Sequence, residues 1–427
     1  MPRDLSVHRV TRFPTGLTVV TAEMPHMASV SVGIWVGMGS RYESAELNGV
    51  CHFIEHLLFK GTRKRSAREI SQAVEGIGGY LNAFTSEEST CYHARARHDR
   101  FEDLLEVLAD MFLNSTFLPV EIEKEREVIK EEIAMYADQP QQLVQELLNA
   151  TLWPDQPLGR PITGTPATLD RIHRAELIGY LKRNYVTGNT VIAVAGRITH
   201  ARAVRAVKRH ARHFSSGSWP AFSRLHTDRS APRLRLVSKD TEQTQLALGF
   251  RACSRHDDCR YAVRVLNAIA GENMSSRLFQ VLREDLGLAY SIYTTPSFFA
   301  DVGDFVVSAG VETEKLPKAL KVILRELRRL TEKPPAAAEL RRAREYLVGQ
   351  ADLGLESTES QMNWIGEQWL GYGRVFQPDA IKRRLQKVTA AEVRAVARDI
   401  FQRDNTTLAL VSPLKKARGV EKLLETW

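Results

Sequence analysis

The sequence predicts an α+β fold built from two homologous α/β units of about 200 residues each. One observation is length: 427 residues exceed what a single ordinary core holds. A second is internal repetition. Residues 188–198, "GNTVIAVAGRI", read as a turn, a buried strand and a glycine stop, and residues 404–414, "DNTTLALVSPL", read the same way. Each follows an amphipathic helix, "AELIGYLKRNYVT" or "AAEVRAVARDIFQR". A third is a matched strand–helix pair near the start of each half. "ASVSVGIWVGMGS" precedes a helix carrying histidines, and "TQLALGFRACS" precedes "YAVRVLNAIAG".

The division of the chain follows from the repeat. The polar stretch Ser215–Pro232, "SSGSWPAFSRLHTDRSAP", is the expected linker. It separates an N-terminal domain, 1–214, from a C-terminal domain, 233–427. The halves differ where chemistry would sit: the first has "VCHFIEHLLFKGT", the second "LNAIAGENMSSRLFQ" without paired histidines.

Composition excludes several classes. Hydrophobic residues make up 43% and charged residues 26%, as in an ordinary globular protein. No run supplies the ~18 apolar residues of a membrane span. The opening "MPRDLSVHRVTRF" has no apolar signal region, and it is too short before the first evident strand, "GLTVVTAEM", for a transit peptide. Four cysteines fit a reducing cytoplasm rather than a disulfide scaffold. The net charge of +8 is carried by basic helix faces such as "HARAVRAVKRHARH". Without a zinc-finger, RNP-type or KH-type signature, it predicts no nucleic-acid partner.

The first helix poses the chemical question. At ~100° per residue, Val50, Phe53, Ile54, Leu57 and Leu58 fall on one arc. His52 and His56 lie ~40° apart on the opposite arc, with Glu55 ~60° from His52. Two imidazoles one turn apart can chelate a single ion. With 12 histidines and 51 acidic residues in the chain, a chance His-x-x-Glu-His is expected roughly 0.04 times. Zinc at a hydrolytic site needs a third protein ligand and a water. The segment Glu121–Tyr136, "EIEKEREVIKEEIAMY", predicts a helix with an apolar stripe of Ile122, Ile129, Ile133 and Tyr136. Glu125 and Glu132, seven apart, nearly eclipse each other between that stripe and Val128. Buried carboxylates require compensation, so both call for a cation.

Two other patterns are discounted. "GIGGYLN" has no lysine to meet phosphate and reads as a turn into a strand. "CSRHDDC", Cys253 to Cys259, has the wrong spacing for a zinc ribbon and reads as a loop. Cys51 points ~100° away from His52 on the helix and is not expected to be a ligand.

Together these features resemble the inverted-motif zinc metallopeptidases that include pitrilysin, insulin-degrading enzyme and mitochondrial processing peptidase. "SVGIWVGMGSRYE", "NGVCHFIEHLLFKGT", "GGYLNAFTSEESTCYHARA", "EREVIKEEIAMYADQP", "PLGRPITGT" and "MSSRLFQVLREDLGLAYSIY" carry the likeness to the short-chain, processing-peptidase-like branch. It covers nearly the whole chain. It implies sandwich-like units with mixed, largely antiparallel sheets and helices packed on one face. The family places its zinc-binding glutamate about 76 residues beyond the second histidine, and 132 − 56 = 76 selects Glu132 over Glu131. The resemblance implies one Zn2+ per chain on His52, His56 and Glu132. Glu55 would be the general base acting on zinc-bound water, and Glu125 the supporting glutamate behind a ligand. Asn82 and Ala83 would lie on an edge strand that pairs with extended substrate. In the second half, Arg283 and Tyr290 would hold substrate and stabilise the developing oxyanion.

The implied activity is endopeptidase cleavage of unstructured peptides or small proteins inside an enclosed chamber. The implied assembly is a homodimer, with a heterodimer open. The glycine-rich loop of the presequence-processing partner subunit is not found in the sequence, so that narrower substrate class is not carried over. The alternative reading is a non-catalytic peptide-binding or structural subunit of the same fold, or the active half of a heterodimer.

Overall fold

The computed structural model describes residues 8–226 and 233–427; residues 227–232 of the expected linker lie outside them. The chain forms two compact units.

The first unit holds six strands: β1 (His8–Arg12), β2 (Thr18–Glu23), β3 (Ser29–Val36), β4 (Tyr80–Thr85), β5 (Thr90–Arg97) and β6 (Thr190–Gly196). Their order is β1-β2-β6-β3-β5-β4. Only β2 and β6 pair in parallel; β1–β2, β3–β6, β3–β5 and β4–β5 are antiparallel. The second unit holds β7 (Arg233–Ser238), β8 (Thr244–Ala252), β9 (Ala289–Phe298), β10 (Gly303–Val311) and β11 (Thr406–Ser412). The order β7-β11-β8-β10-β9, with only β7 and β11 parallel, repeats β2-β6-β3-β5-β4. The duplication read from two strand motifs is therefore a duplication of a whole sheet. The extra outer strand β1 precedes the first strand apparent in the sequence.

Each sheet has its main helical layer on one face, as the resemblance implied. In the first unit Val30, Val32, Ile34, Ile192 and Val194 pack against Phe53, Leu57, Phe101 and Leu104. The opposite face is covered too. The helix Thr358–Tyr372 belongs to the first unit, although it comes from the other half of the chain. It packs Met362 and Ile365 against Trp35, Val191, Ala193 and Ala195, and Trp35 Nε1 donates to Met362 Sδ at 3.3 Å. Coverage on both faces explains why β6 is buried throughout and reads as a continuous apolar run. The reciprocal exchange occurs in the second unit. There Pro140–Leu152 sets Val144 and Leu148 against Ala247, Ala409 and Val411. Small residues let that helix lie close to the sheet; a Cβ on Gly249 would stand 3.0 Å from the Leu148 side chain. Grouped by compactness, residues 134–160 fall in the second unit and 352–377 in the first. Strand periodicity does not reveal such exchanges, because it does not say which helix covers a buried face.

Among the described residues no helix is long and apolar enough to cross a membrane. "GIGGYLN" is the turn that delivers β4, with Gly78 at φ +68°.

Candidate metal centre

The histidine helix runs from Val50 to Leu58 and buries Val50, Phe53, Ile54, Leu57 and Leu58. Gly49 precedes it at φ +96°, where a Cβ would also meet the Thr163 carbonyl at 2.7 Å, so only glycine fits. The helix start is held by a residue that sequence reasoning missed. Glu43 is buried; one carboxylate oxygen accepts from the Gly49 backbone N–H (2.8 Å) and Asn48 Nδ2 (3.0 Å). The other accepts from the Cys51 N–H at 2.8 Å. Burial holds this carboxyl up at about 7 even against the downward pull of the Cys51, Gly49 and Asn48 donors. Since both oxygens face N–H donors, the geometry favours the ionised form. A carboxylate at a helix N-terminus also meets the positive end of the helix dipole. Glu43→Ala is expected to lower unfolding stability by about 2–4 kcal/mol, because buried N–H groups lose their acceptor. Denaturant unfolding with the metal chelated measures this. The only sequence signal was an acid several residues before a helix.

The glutamate helix, Pro119–Asp138, is longer than the expected Glu121–Tyr136. Ile122 and Ile129 are buried as expected, but Val128 is half exposed. The buried face instead includes Arg126, which donates to the carbonyls of Leu169 and Ile172. Glu125 is 4% exposed, whereas Glu131 faces solvent.

Three donors converge between these helices. His52 Nε2 lies 3.6 Å, and His56 Nε2 3.7 Å, from Glu132 Oε2. One ligand atom from each residue lies within 4.8 Å of the others. These gaps are too long for hydrogen bonds, yet close to the ~3.4 Å edge of a tetrahedron with ~2.0–2.1 Å metal–ligand bonds. Burial, with His56 adding to it against Glu132, lowers His52 to about 4. The imidazole is thus neutral at neutral pH, as a metal ligand must be. The set therefore fits a zinc ion. Cys51 lies outside it, in contact with Tyr180 at 3.3 Å.

Glu125 stands behind His56. Its Oε2 contacts His56 Nδ1 at 3.1 Å, while its Oε1 pairs with Lys60 Nζ at 2.7 Å. Burial raises the Glu125 carboxyl, but His56 and Lys60 outweigh it and leave it below its usual value. An anchored Nδ1 leaves Nε2 directed at the metal position. Lys60 was not singled out from the sequence, although it follows His56 by one turn.

Glu55 projects toward β4, where Thr85 Oγ1 donates to Glu55 Oε2 at 2.5 Å. Burial raises the Glu55 carboxyl, against the pull of Thr85 and His56. Nothing in the sequence marked Thr85, since the contact joins elements 30 residues apart. β4 is an edge strand. Leu81 and Ala83 pack toward the helical layer and Phe84 toward the opposite one. By alternation Asn82 shares the face opposite the metal helix. Asn82 Oδ1 accepts from the Ala83 backbone N–H at 2.9 Å.

Arg283 and Tyr290 lie in the second unit and stand side by side. The Arg283 guanidinium carbon is 5.6 Å from the Tyr290 ring centre and 4.9 Å from that of Phe279. Tyr290 begins near the start of edge strand β9 and is 76% exposed.

A duplicated α/β unit with a two-histidine, one-carboxylate centre defines the class of inverted-motif metallopeptidase folds. The model of the insulinase family, peptidase family M16, matches residues 18–166, and that of the M16 inactive domain matches residues 171–347. The chain belongs to peptidase family M16. It is 40% identical to an uncharacterized zinc protease of Streptomyces coelicolor over 413 residues, 95% of this chain and 90% of that protein. It is 38% identical to the uncharacterized zinc protease YmxG of Bacillus subtilis over 400 residues, 93% and 96% of the two chains. A crystallised protease from Helicobacter pylori superposes with a TM-score of 0.89 at 21% identity, covering 95% of this chain and 99% of that one. The last match speaks for the fold alone.

Proposed function

We propose that the protein is a zinc-dependent endopeptidase acting on unstructured peptides or small proteins. The observation that carries this reading is the convergence of His52, His56 and Glu132 beside Glu55. His52, His56 and Glu132 would hold the ion, which when bound supplies Lewis-acid polarisation of water and of the scissile carbonyl. Glu55 takes the proton of the attacking water and passes it to the leaving amine. Its raised carboxyl suits both halves of that transfer, and Thr85 fixes its rotamer. Glu125 and Lys60 hold His56 in register.

The edge of β4 binds the peptide as an added strand, giving grip with little sequence demand. The Ala83 N–H now capped by Asn82 is a donor that such a strand would take. Arg283 and Tyr290 hold substrate and stabilise the oxyanion. The N-terminal half is the catalytic domain and the C-terminal half the substrate-holding one. The same proposal includes one zinc per chain, a homodimer, an enclosed chamber and a cytoplasmic setting, without nucleic-acid or membrane partners.

The test is cleavage of a mixed library of unfolded peptides by zinc-loaded protein, beside a chelated and zinc-restored sample. Cleavage that stops on chelation and returns with zinc is expected. A zinc-loaded protein that binds peptides but leaves them intact would favour the peptide-binding subunit instead.

A further inference from the structure

The expected linker begins as part of the first unit, which includes it through residue 223. Its backbone is tied down at the start. The Thr187 N–H donates to the Ser215 carbonyl at 2.8 Å, and the Gly188 N–H to the Gly217 carbonyl at 3.0 Å. Two aromatic side chains then hold it to the unit. Trp219 lies against Gly37, where a Cβ would stand 2.2 Å from the indole, and its Nε1–H donates to the Tyr42 hydroxyl at 3.2 Å. Phe222 meets the Tyr42 ring edge-on, with 5.8 Å between centres. The Phe222 ring centre also lies 4.2 Å from the Arg41 guanidinium carbon.

Arg41 connects this strap to the catalytic side. Its side chain is fully buried, and Nη1 donates to Glu88 Oε1 at 2.6 Å. Water that reaches such an ion pair weakens its attraction. A ring over the guanidinium keeps water off and adds a cation–π attraction. Glu88 lies in the turn 86–89 that joins β4 to β5. The same turn accepts two backbone bonds beside Arg41: the Ser40 N–H reaches the Ser86 carbonyl at 3.2 Å and the Arg41 N–H reaches the Glu87 carbonyl at 2.9 Å. Thr85 is the residue just before the turn, and its hydroxyl is the group that meets Glu55, at 2.5 Å. Thr90, just after the turn, donates to the Met38 carbonyl at 2.9 Å. A linker needs only reach and solubility. Two aromatic anchors and a covered ion pair exceed that need, and they converge on the turn that follows Thr85.

We propose that Phe222 is a positioning residue for the general base. It shields the Arg41–Glu88 pair, the pair fixes the turn 86–89, and the turn fixes the Thr85 hydroxyl that orients Glu55. The inference deepens the peptidase reading and rests on Glu55 being its base.

The test compares full-length wild type with Phe222→Ala and with Phe222→Tyr, which keeps the ring. Phe222 is half-buried in the linker, so its truncation spares the core. Peptide kinetics give kcat and KM, and hydrogen–deuterium exchange follows the peptide covering residues 86–89. In Phe222→Ala that peptide should exchange about 3- to 30-fold faster, the effect of losing one covered cation–π contact. The kcat should fall about 10-fold, inside the ~100-fold that a 1 Å misplacement can cost, with KM and zinc content near wild type. Phe222→Tyr should restore both readouts. Adding Phe222→Ala to Thr85→Val should lower kcat no further, because the strap acts through Thr85. Unchanged exchange at 86–89, an unchanged kcat, or a full second loss in the Thr85→Val background each overturns the proposal. Wild-type protein that cleaves nothing refutes the peptidase reading instead, and exchange at 86–89 then decides alone whether Phe222 holds the turn.

Discussion

Glu55→Gln is expected to abolish peptide cleavage while leaving the metal in place. The amide cannot accept the proton of the attacking water, so kcat should fall about 100- to 10,000-fold, the range of a lost general base. The substitution is nearly isosteric, and Thr85 Oγ1 can still donate to the remaining carbonyl oxygen, as it does to Glu55 Oε2. KM should change little and the zinc content should match wild type. Peptide kinetics beside metal analysis of the same preparation make the comparison. Retention of more than about a tenth of wild-type kcat would remove Glu55 from the base role.

Glu132→Ala should produce the second large effect, and it is read without any activity assay. Two imidazoles alone are an incomplete zinc site, so affinity should drop by at least ~100-fold, the upper end of the loss seen for mere supporting partners. At a zinc concentration ~100 times the wild-type Kd, binding adds about 2.7 kcal/mol to wild-type stability. The same zinc should add no more than about 0.4 kcal/mol to the variant, so most of the zinc-dependent rise in Tm is lost. Glu131→Ala is the internal control. Glu131 points to solvent on the same helix, and its removal should leave the zinc response intact. Equal losses at both positions would mean that the helix as a whole, rather than the Glu132 carboxylate, supports binding.

The metal site was legible for a local reason. His52, Glu55 and His56 share one helix, and helical period alone puts them on one side. Glu132 was reachable because a second helix carried its own periodicity and the family spacing chose between adjacent glutamates. Val128 shows the limit of that logic. Its apolar side chain read as a border of the core, but it is half exposed. The space beneath the helix is instead filled partly by Arg126, whose guanidinium finds two backbone carbonyls. An apolar stripe predicts which side is buried, not which neighbours will satisfy a charged group there.

By itself the sequence determined the duplicated α+β plan and placed His52, Glu55 and His56 on one side of a single helix. Each follows from spacing within one segment or from repetition between segments. Only the tertiary structure decided that each half lends a helix to the other unit, that Thr85 orients Glu55 and that Glu43 anchors the start of the histidine helix. Those contacts depend on where chain direction reverses and on which surfaces remain to be covered once the sheets form. Pairings of that kind are selected by packing and by buried hydrogen-bond satisfaction, and a linear pattern of residue types does not encode them one position at a time.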